Sequence, residues 1–528
     1  MDCATLKDLI EASWPGRARC RFDPAARTNE VTCERAVLAD VCSRLFHEWD
    51  YAFAGLVVEE GERQWELRYV FYGERDAGWV HVLVAAPLAD SVFPSIAVEA
   101  RVFAADWHER EAEDLFGVHF AGHPRLGDFV LHDDAWQEGV EPMRRGFDPV
   151  AALRDRRPAA DWRPRRVVQE AGAFILPIGP KFSGVTESVL FELETVGEDV
   201  IRSWTRLFYK WRAVEKLAEG KSAEDALVLA ERFAATTAFA HGLAFCQAVE
   251  AIGGATVPPR ARALRVFLAE LERLRQHAGA IQEICESTAL VVANSQAGLL
   301  EEDLLRVSCE LTGHRYLFGL LALGGLTIDL PTEACRKALR KAQDVVARLD
   351  ALERRLKVSS SFLDRIEEVG VIFPRTARAY SLVGPVARAS SLARDLRREQ
   401  PYLGYESFEF EVPTEEEGDG YARLRVLFAE ARQSLRIMDQ AAGVLREGAV
   451  QAPVALAAGA ALGWVEAPRG ATFHWVRLDG SGRVARYRAV TPSFTNWHSF
   501  HLGAEKFAFQ DFPIILSTFD LSAAENDR

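Results

Sequence analysis

Residues 231–250, ERFAATTAFAHGLAFCQAVE, set Glu231, Arg232, His241 and Glu250 into an otherwise apolar stretch that reads as a helix. Between them runs the small-sided stretch Ala234-Ala235-Thr236-Thr237. Charged groups on an apolar framework must be paired or solvated, because an unpaired buried charge is expensive. A second concentration lies in WHEREAEDLFGVHFAGHP (107–124), which puts Glu109, Arg110, Glu111, Glu113 and Asp114 on barely two helical turns. Arg110 can pair there with Glu113 or Asp114 at three- and four-residue spacing. Read from composition alone, this is a solvated acidic face. His119 and His123 are four apart, as a metal pair on a helix would be. Gly122 and Pro124 break the helix that would align them, so no metal is expected.

Eight cysteines are present with no CxxC pair, and the start MDCATLKDLIEASWPG lacks the apolar core of a secretory signal. Free thiols in a reducing cytosol are expected. The 528 residues carry a formal charge of −14, and residues 1–150 alone hold 28 acidic and 15 basic side chains, a net −13. The rest is near neutral. An acidic front segment excludes the basic footprint of a nucleic-acid binder. The apolar runs at 316–328 and 453–465 contain glycines and fall short of a membrane span. Any membrane link is therefore expected through partners.

The elements that must position these groups divide the chain. Residues 1–150 read as α+β: helical spacing over 35–49 and 104–117, and strand-like runs YAFAGLVVEE, QWELRYVFYG and WVHVLVAAPL that form a β-meander. Gly117 is the expected C-cap of the second helix. Residues 151–166 form an arginine- and proline-rich linker; RDRRPAADWRPRR holds six arginines and two prolines. A basic strap on an acidic neighbour is the alternative. From about Val167 the chain reads as mainly helical, with long amphipathic patterns at 264–292, 333–366 and 421–448. Residues 471–490 read as a hairpin around Gly-Ser-Gly. The expected fold is an α+β front domain (1–150), a linker (151–166) and a large, mainly α domain with small β-hairpins (167–528).

EREAEDLFGVHFAGHPRL, followed by VLHDDAW and MRRGFDP, resembles the C subunit of bacterial complex I, the NADH–quinone oxidoreductase. Its signature falls on Glu109, Arg110, Glu111, Asp114 and His123. The two basic residues usual after GHP are replaced by Gly127 and Asp128. Four later stretches resemble the D subunit of complex I, and more closely the large subunit of membrane-bound group 4 nickel–iron hydrogenases. They are PIGPKFSGVTE (177–187), GPVARASSLARDLRREQPY (384–402), GWVEAPRGATFHWVRLDG (463–480) and RYRAVTPSFTNWH (486–498).

The resemblance gives the 231–250 stretch a meaning. In nickel–iron hydrogenases the corresponding helix carries two cysteine ligands, and a second pair lies near the C-terminus. Here the four positions hold Ala234, Thr237, Ser522 and Glu525. A soft metal site requires thiolates, so the resemblance implies that the chain binds no nickel and no other cofactor of its own. Complex I places a histidine and a tyrosine at the quinone; those positions fall on Thr186 and Ala235, and a further histidine position on Phe182. What persists is Glu187, Arg469 and Asp520 beside Glu231, Arg232 and His241. The six are expected to converge on one polar cavity, with Arg469 on Asp520. Either a proton-handling site or an ion-pair remnant fits.

The resemblance implies a subunit of a membrane-associated oxidoreductase assembly that couples electron transfer to proton or ion translocation. Its expected partners are a small iron–sulfur subunit, which holds the cluster, and membrane-arm subunits, with a quinone as candidate acceptor. Its expected place is peripheral, on the cytoplasmic face of the cell membrane. The alternative is a structural or coupling subunit without redox chemistry.

Overall fold

The computed structural model describes residues 3–24, 26–73, 77–137, 139–163, 166–169, 171–182 and 187–528. Five strands open the chain: β1 (Ala18–Asp23), β2 (Thr28–Cys33), β3 (Ala52–Glu60), β4 (Gln64–Tyr72) and β5 (Trp79–Pro87). They form one sheet in the order β1-β2-β5-β4-β3. β3, β4 and β5 are the antiparallel meander expected, and β2 joins β5 in parallel. The β1–β2 hairpin is an addition, because its charged alternation hides the strand signal.

Both faces of the β3–β5 part of this sheet are largely buried, which is why these strands read as apolar runs. Leu67, Tyr69 and Phe71 of β4 face one core, packed with the helix Arg35–Ser43, while Val70 and Tyr72 face another. That second core is shared with the later half of the chain, including Phe473 and Val490. The first core likewise takes in Phe494 and Trp497. The front segment and the later half thus have no separate interiors.

The short strands β6 (Val92–Pro94) and β7 (His119–Ala121) flank the helix Asp106–Phe116, which ends at Gly117 with φ 71°. After Arg154 the described linker residues carry no helix or strand. They are pinned by Trp162 Nε1 on Asp128 at 3.0 Å and by Ala159 N on Asp133 O at 2.7 Å. Among the described linker arginines the one ion pair is Arg154 with its neighbour Asp155, so a strap of arginines on acidic partners is not seen there.

The later half is built of helices with several small sheets, and the first of those sheets was not expected. β8 (Ala173–Ile178), β9 (Leu190–Val196) and β10 (Asp199–Arg206) form an antiparallel sheet, edged by a two-residue strand at Phe507–Ala508. Helices follow. Pro259–Ser287 is the central one, packed by Val291–Thr312 and Gly420–Val444. The pattern at 333–366 is two helices, Thr332–Leu356 and Ser360–Ile366, parted at Lys357–Ser359. The predicted hairpin exists as the strands Gly470–Leu478 and Val484–Val490, and a third strand, Gly459–Ala467, completes that sheet.

Residues 231–250 are not one helix. A helix ends at Arg232, a 3₁₀ turn covers Ala235–Thr237, and a second helix runs Ala238–Ile252. Small side chains follow from close packing on the C-terminal sheet. A Cβ added at Gly463 would lie 1.9 Å from Ala244 O and 2.8 Å from Ala248 N. Only glycine at 463 allows the sheet to approach the helix backbone that closely.

Candidate functional site

Arg469 occupies the turn between Gly459–Ala467 and Gly470–Leu478. The turn is held from outside, since Gly384, at φ 67°, leaves room for the Arg469 carbonyl where a Cβ would lie 2.0 Å away. The guanidinium points inward. Its Nη2 donates to Asp520 Oδ1 at 3.1 Å and its Nε to Asp520 O at 2.7 Å. Its Nη1 donates to Thr236 Oγ1 at 3.0 Å and to Glu525 Oε1 at 3.3 Å. The expected Arg469–Asp520 contact is therefore present.

Asp520 caps the helix Phe512–Phe519 in the left-handed conformation, φ 48° and ψ 47°. Aspartate tolerates that region better than most side chains, and the turn presents both its carbonyl and its carboxylate to Arg469. Gln276 Nε2 donates to both carboxylate oxygens at 3.1 Å.

Glu525 lies at the centre and is fully buried. Its Oε1 accepts from Thr237 Oγ1 at 2.9 Å, and its Oε2 accepts from Ser493 N at 3.2 Å. Burial pushes this carboxyl up, but Arg469 and His241 outweigh it and hold it down at about 2. The same carboxylates raise Arg469 against the burial that would lower it.

His241 Nε2 faces Glu525 Oε1 at 3.8 Å. On the other side of the ring, Nδ1 lies 3.3 Å from Thr472 Oγ1 and 3.2 Å from His474 Nε2. Thr472 gives its own hydrogen to Val490 O at 2.9 Å, so its oxygen is an acceptor for a proton on His241 Nδ1. Burial, followed by the neighbouring His241, holds His474 well below its usual range, so His474 is neutral.

Glu187 reaches the cluster from the exposed side. It accepts from Ser522 Oγ at 2.9 Å and from Ala523 N. Glu187, His241, Arg469, Asp520, Thr237, Ser522 and Glu525 thus share one connected neighbourhood. Ala234 is buried, Ala235 is exposed, and Thr237 is fully buried.

Two expected members do not join it. Glu231 is buried but accepts from Gly319 N, and Arg232 is exposed over the Phe318 ring at 5.4 Å. Neither makes a hydrogen bond or ion pair with the Arg469 cluster among the described residues. The helix break after Arg232 explains this: Glu231 and His241 belong to different helices. Glu250 also lies elsewhere, paired with Arg265 at 2.7 and 3.0 Å. Of the complex I-type positions, Phe182 is exposed, and Thr186 lies outside the described residues.

Other groups were not legible. Gln276 and Glu283 sit on the long helix Pro259–Ser287, where the sequence shows only a polar stripe. Burial, then Asp520, raises the Glu283 carboxyl to about 7 against the pull of Arg469. Asp527 is also raised to about 7, by burial first and by Glu187, against Arg212.

The front signature is not a solvated face. Glu109 is fully buried and accepts from Ile96 N at 2.7 Å, Ala97 N at 3.2 Å and the Ser95 hydroxyl. Burial raises it to about 8. Asp114 accepts from Val130 N and Leu131 N at 2.6 Å, and burial raises it to about 7. Arg110 pairs with neither Glu113 nor Asp114; it lies over Phe129 at 4.3 Å and donates to the carbonyls of Gly127 and Asp128. His123 Nε2 lies 3.2 Å from Asp106 Oδ1, while His119 is exposed. Glu111 is a seam residue: it receives Arg488 and, at 2.9 Å, Arg528 from the other end of the chain.

The comparisons with known proteins fit this layout. Residues 31–152 match the family model described as respiratory-chain NADH dehydrogenase, 30 Kd subunit, and residues 299–457 and 449–528 match the 49 Kd subunit. The chain is 31% identical to formate hydrogenlyase subunit 5 of Escherichia coli, over 85% of this chain and 79% of that protein. It is 28% identical to hydrogenase-4 component G of the same organism, over 98% and 91%. It is 27% identical to the NADH-quinone oxidoreductase C/D protein of Bdellovibrio bacteriovorus, over 72% and 68%. Among the described residues no helix is long and apolar enough to cross a membrane.

Proposed function

The chain belongs to the family of formate hydrogenlyase subunit 5 and the fused C/D protein of NADH-quinone oxidoreductase, and from that premise we propose that it is the large subunit of a membrane-associated oxidoreductase assembly coupling electron transfer to proton or ion translocation. In this reading its front domain and hydrogenase-like domain dock a small iron–sulfur subunit and a membrane arm. Docking at the cytoplasmic face of the membrane goes with those partners.

The observation that carries the reading of the site is the donor set around Glu525. Two carboxylates, two hydroxyls and a guanidinium meet where the resemblance places a metal, and Thr237, Arg469 and Ser493 N already engage the central carboxylate. Such oxygens suit hard ions, whereas the nickel–iron centre of the resemblance is held by four soft thiolates. Cys246 is buried against Ala322 O at 3.9 Å, away from this cluster. The donors do not fit a nickel–iron centre. Ala235 offers no side-chain hydrogen bond to a quinone head group.

The chemistry left to the chain is proton handling. A proton on His241 Nε2 sets a cation against Glu525, while Arg469 keeps that carboxylate ionised. The surroundings tune two further carboxyls, Glu283 and Asp527, toward neutral pH. Groups poised near the working pH exchange protons most readily. A second reading, a coupling role without redox chemistry, is favoured by the satisfied Glu525, which an ion-pair remnant would also give.

Elemental analysis and acceptor reduction on the purified assembly test both. We expect nickel far below one atom per chain, and at least a tenfold loss of activity in Arg469→Ala with the assembly intact. Nickel near one atom per chain would sink the proposal. Unchanged turnover in Arg469→Ala would leave the coupling reading in place of the proton-handling one.

A further inference from the structure

A cavity of about 380 Å³ lies apart from the Arg469 cluster. It opens where the helix Asp106–Phe116, the 124–129 turn, Trp162, β9, β10 and the helix Pro492–Gly503 meet. Its size suits a small organic ligand. Of the front signature it is lined by Arg110, which has no part in the Arg469 cluster.

The wall is rich in cations. Arg110, Arg125, Arg202 and Arg206 line it, against Asp128 and Glu192. Arg206 is held by Asp128 and Asp134, at 2.8 Å each, and Arg125 by Asp106 at 3.4 Å. Arg110 and Arg202 make no ion pair among the described residues. The hydrogen bonds of Arg110 go to two backbone carbonyls at 3.3 and 3.4 Å, and Arg202 lies over the Trp204 ring at 5.6 Å.

Arginine and tryptophan only donate hydrogen bonds. Donors therefore outnumber the two carboxylates of the wall, and a fitting ligand is rich in acceptors and negatively charged. Arginine pairs with such groups through its planar fork. Glu192 adds a constraint. It is 9% exposed, lines the cavity directly opposite Trp204 in the β9–β10 register, and its carboxyl has no hydrogen bond or ion pair among the described residues. A carboxyl there favours a ligand with a hydroxyl or amine beside its anionic group.

We propose that this cavity binds a small organic oxyanion, a carboxylate or a phosphate ester, through Arg110 and Arg202, with Glu192 receiving a hydroxyl or amine of the same molecule. The site is independent of the Arg469 chemistry. Calorimetric titration of the purified assembly with malate and with adenosine monophosphate separates the two sources of the oxyanion. One of them is expected to bind with Kd below about 1 mM.

Arg202→Gln should weaken that binding at least tenfold, and Glu192→Ala should lower the preference for malate over succinate, which lacks the hydroxyl. Arg202 lies on the partly exposed face of the sheet, so this variant tests binding without emptying a core; Arg110→Gln is the second variant. Arg469→Ala should leave the affinity unchanged, so the two proposals fail separately. Binding weaker than about 1 mM for both probes, or full affinity in Arg202→Gln, would overturn the site.

Discussion

Two networks of buried charge lie side by side in this protein, built from the same helix and the same turn, and they differ in one respect. Arg273 and Glu270 on the helix Pro259–Ser287, with Glu466 before the 469 turn, belong to the first. Gln276 and Arg469, each three residues further on, belong to the second. The first network is sealed. Arg388 donates to Glu430 at 2.5 Å and to Glu466 at 2.9 Å; Arg397 donates to Asp395 at 2.6 Å and to Glu270 at 3.0 Å. His277 closes on Glu430 at 2.9 Å and Tyr405 on Glu270 at 2.7 Å. Every one of these residues is at most 2% exposed.

The second network reaches solvent. It passes from fully buried Glu525 through Arg469 to Asp520, and the charges of Glu187 and Glu283, both exposed on one side, act on Arg469 from there. A sealed network fixes structure, because a partner removed leaves an uncompensated buried charge. An open one exchanges protons with water. Residue type does not separate the two, since both are arginine–carboxylate clusters; access does.

The contrast is broken most severely at Arg388. Arg388→Ala strips Glu430 and Glu466 together, and a loss of about 3–5 kcal/mol is expected. Urea titration of the purified assembly measures it. A loss under about 1 kcal/mol would mean that the network is not sealed in solution.

Glu525→Gln sharpens the comparison from the other side. The folded carboxyl lies at about 2, below its ordinary 4.5, so its contribution is present above pH 4.5 and is lost as pH falls through about 2. A shift of that size corresponds to roughly 3 kcal/mol. The wild type should therefore lose more stability than Glu525→Gln between pH 5 and pH 2.5, followed by thermal unfolding. Parallel acid profiles would remove the Arg469–Glu525 pairing from the account.

The smallest effect is expected at Glu283, with the opposite sign. Its folded carboxyl is raised to about 7 from 4.5, so stability is lost as pH rises from 4.5 through 7. Water reaches this side chain and screens it, which keeps the effect under about 1 kcal/mol. Glu283→Gln should unfold at a higher temperature than the wild type at pH 8 and at the same temperature at pH 4. Equal behaviour at pH 8 would place Glu283 outside the open network.

The sequence alone determined the pieces whose signal is local. The meander of β3, β4 and β5 follows from strand-like apolar runs between glycine turns. Gly117 as a cap follows from its place after the last apolar residue of its helix. Glu187, Arg469 and Asp520 as neighbours, and Thr237, Ser522 and Glu525 beside them, followed from motif resemblance across nearly three hundred and forty positions.

Tertiary structure decided which charges are buried and with whom. Glu109, Glu111 and Asp114 share an acidic helix with Glu113, and nothing in their spacing tells a backbone cap from a solvated face. Glu111 meets Arg488 and Arg528 only because the strand Val484–Val490 and the C-terminal residues return to the front sheet. Glu231 and His241 separated for a similar reason, as the chain turns between them at 233–237. Helix and strand periods are set by neighbours a few residues away, whereas burial and pairing of a charge are set by whatever the rest of the chain brings against it.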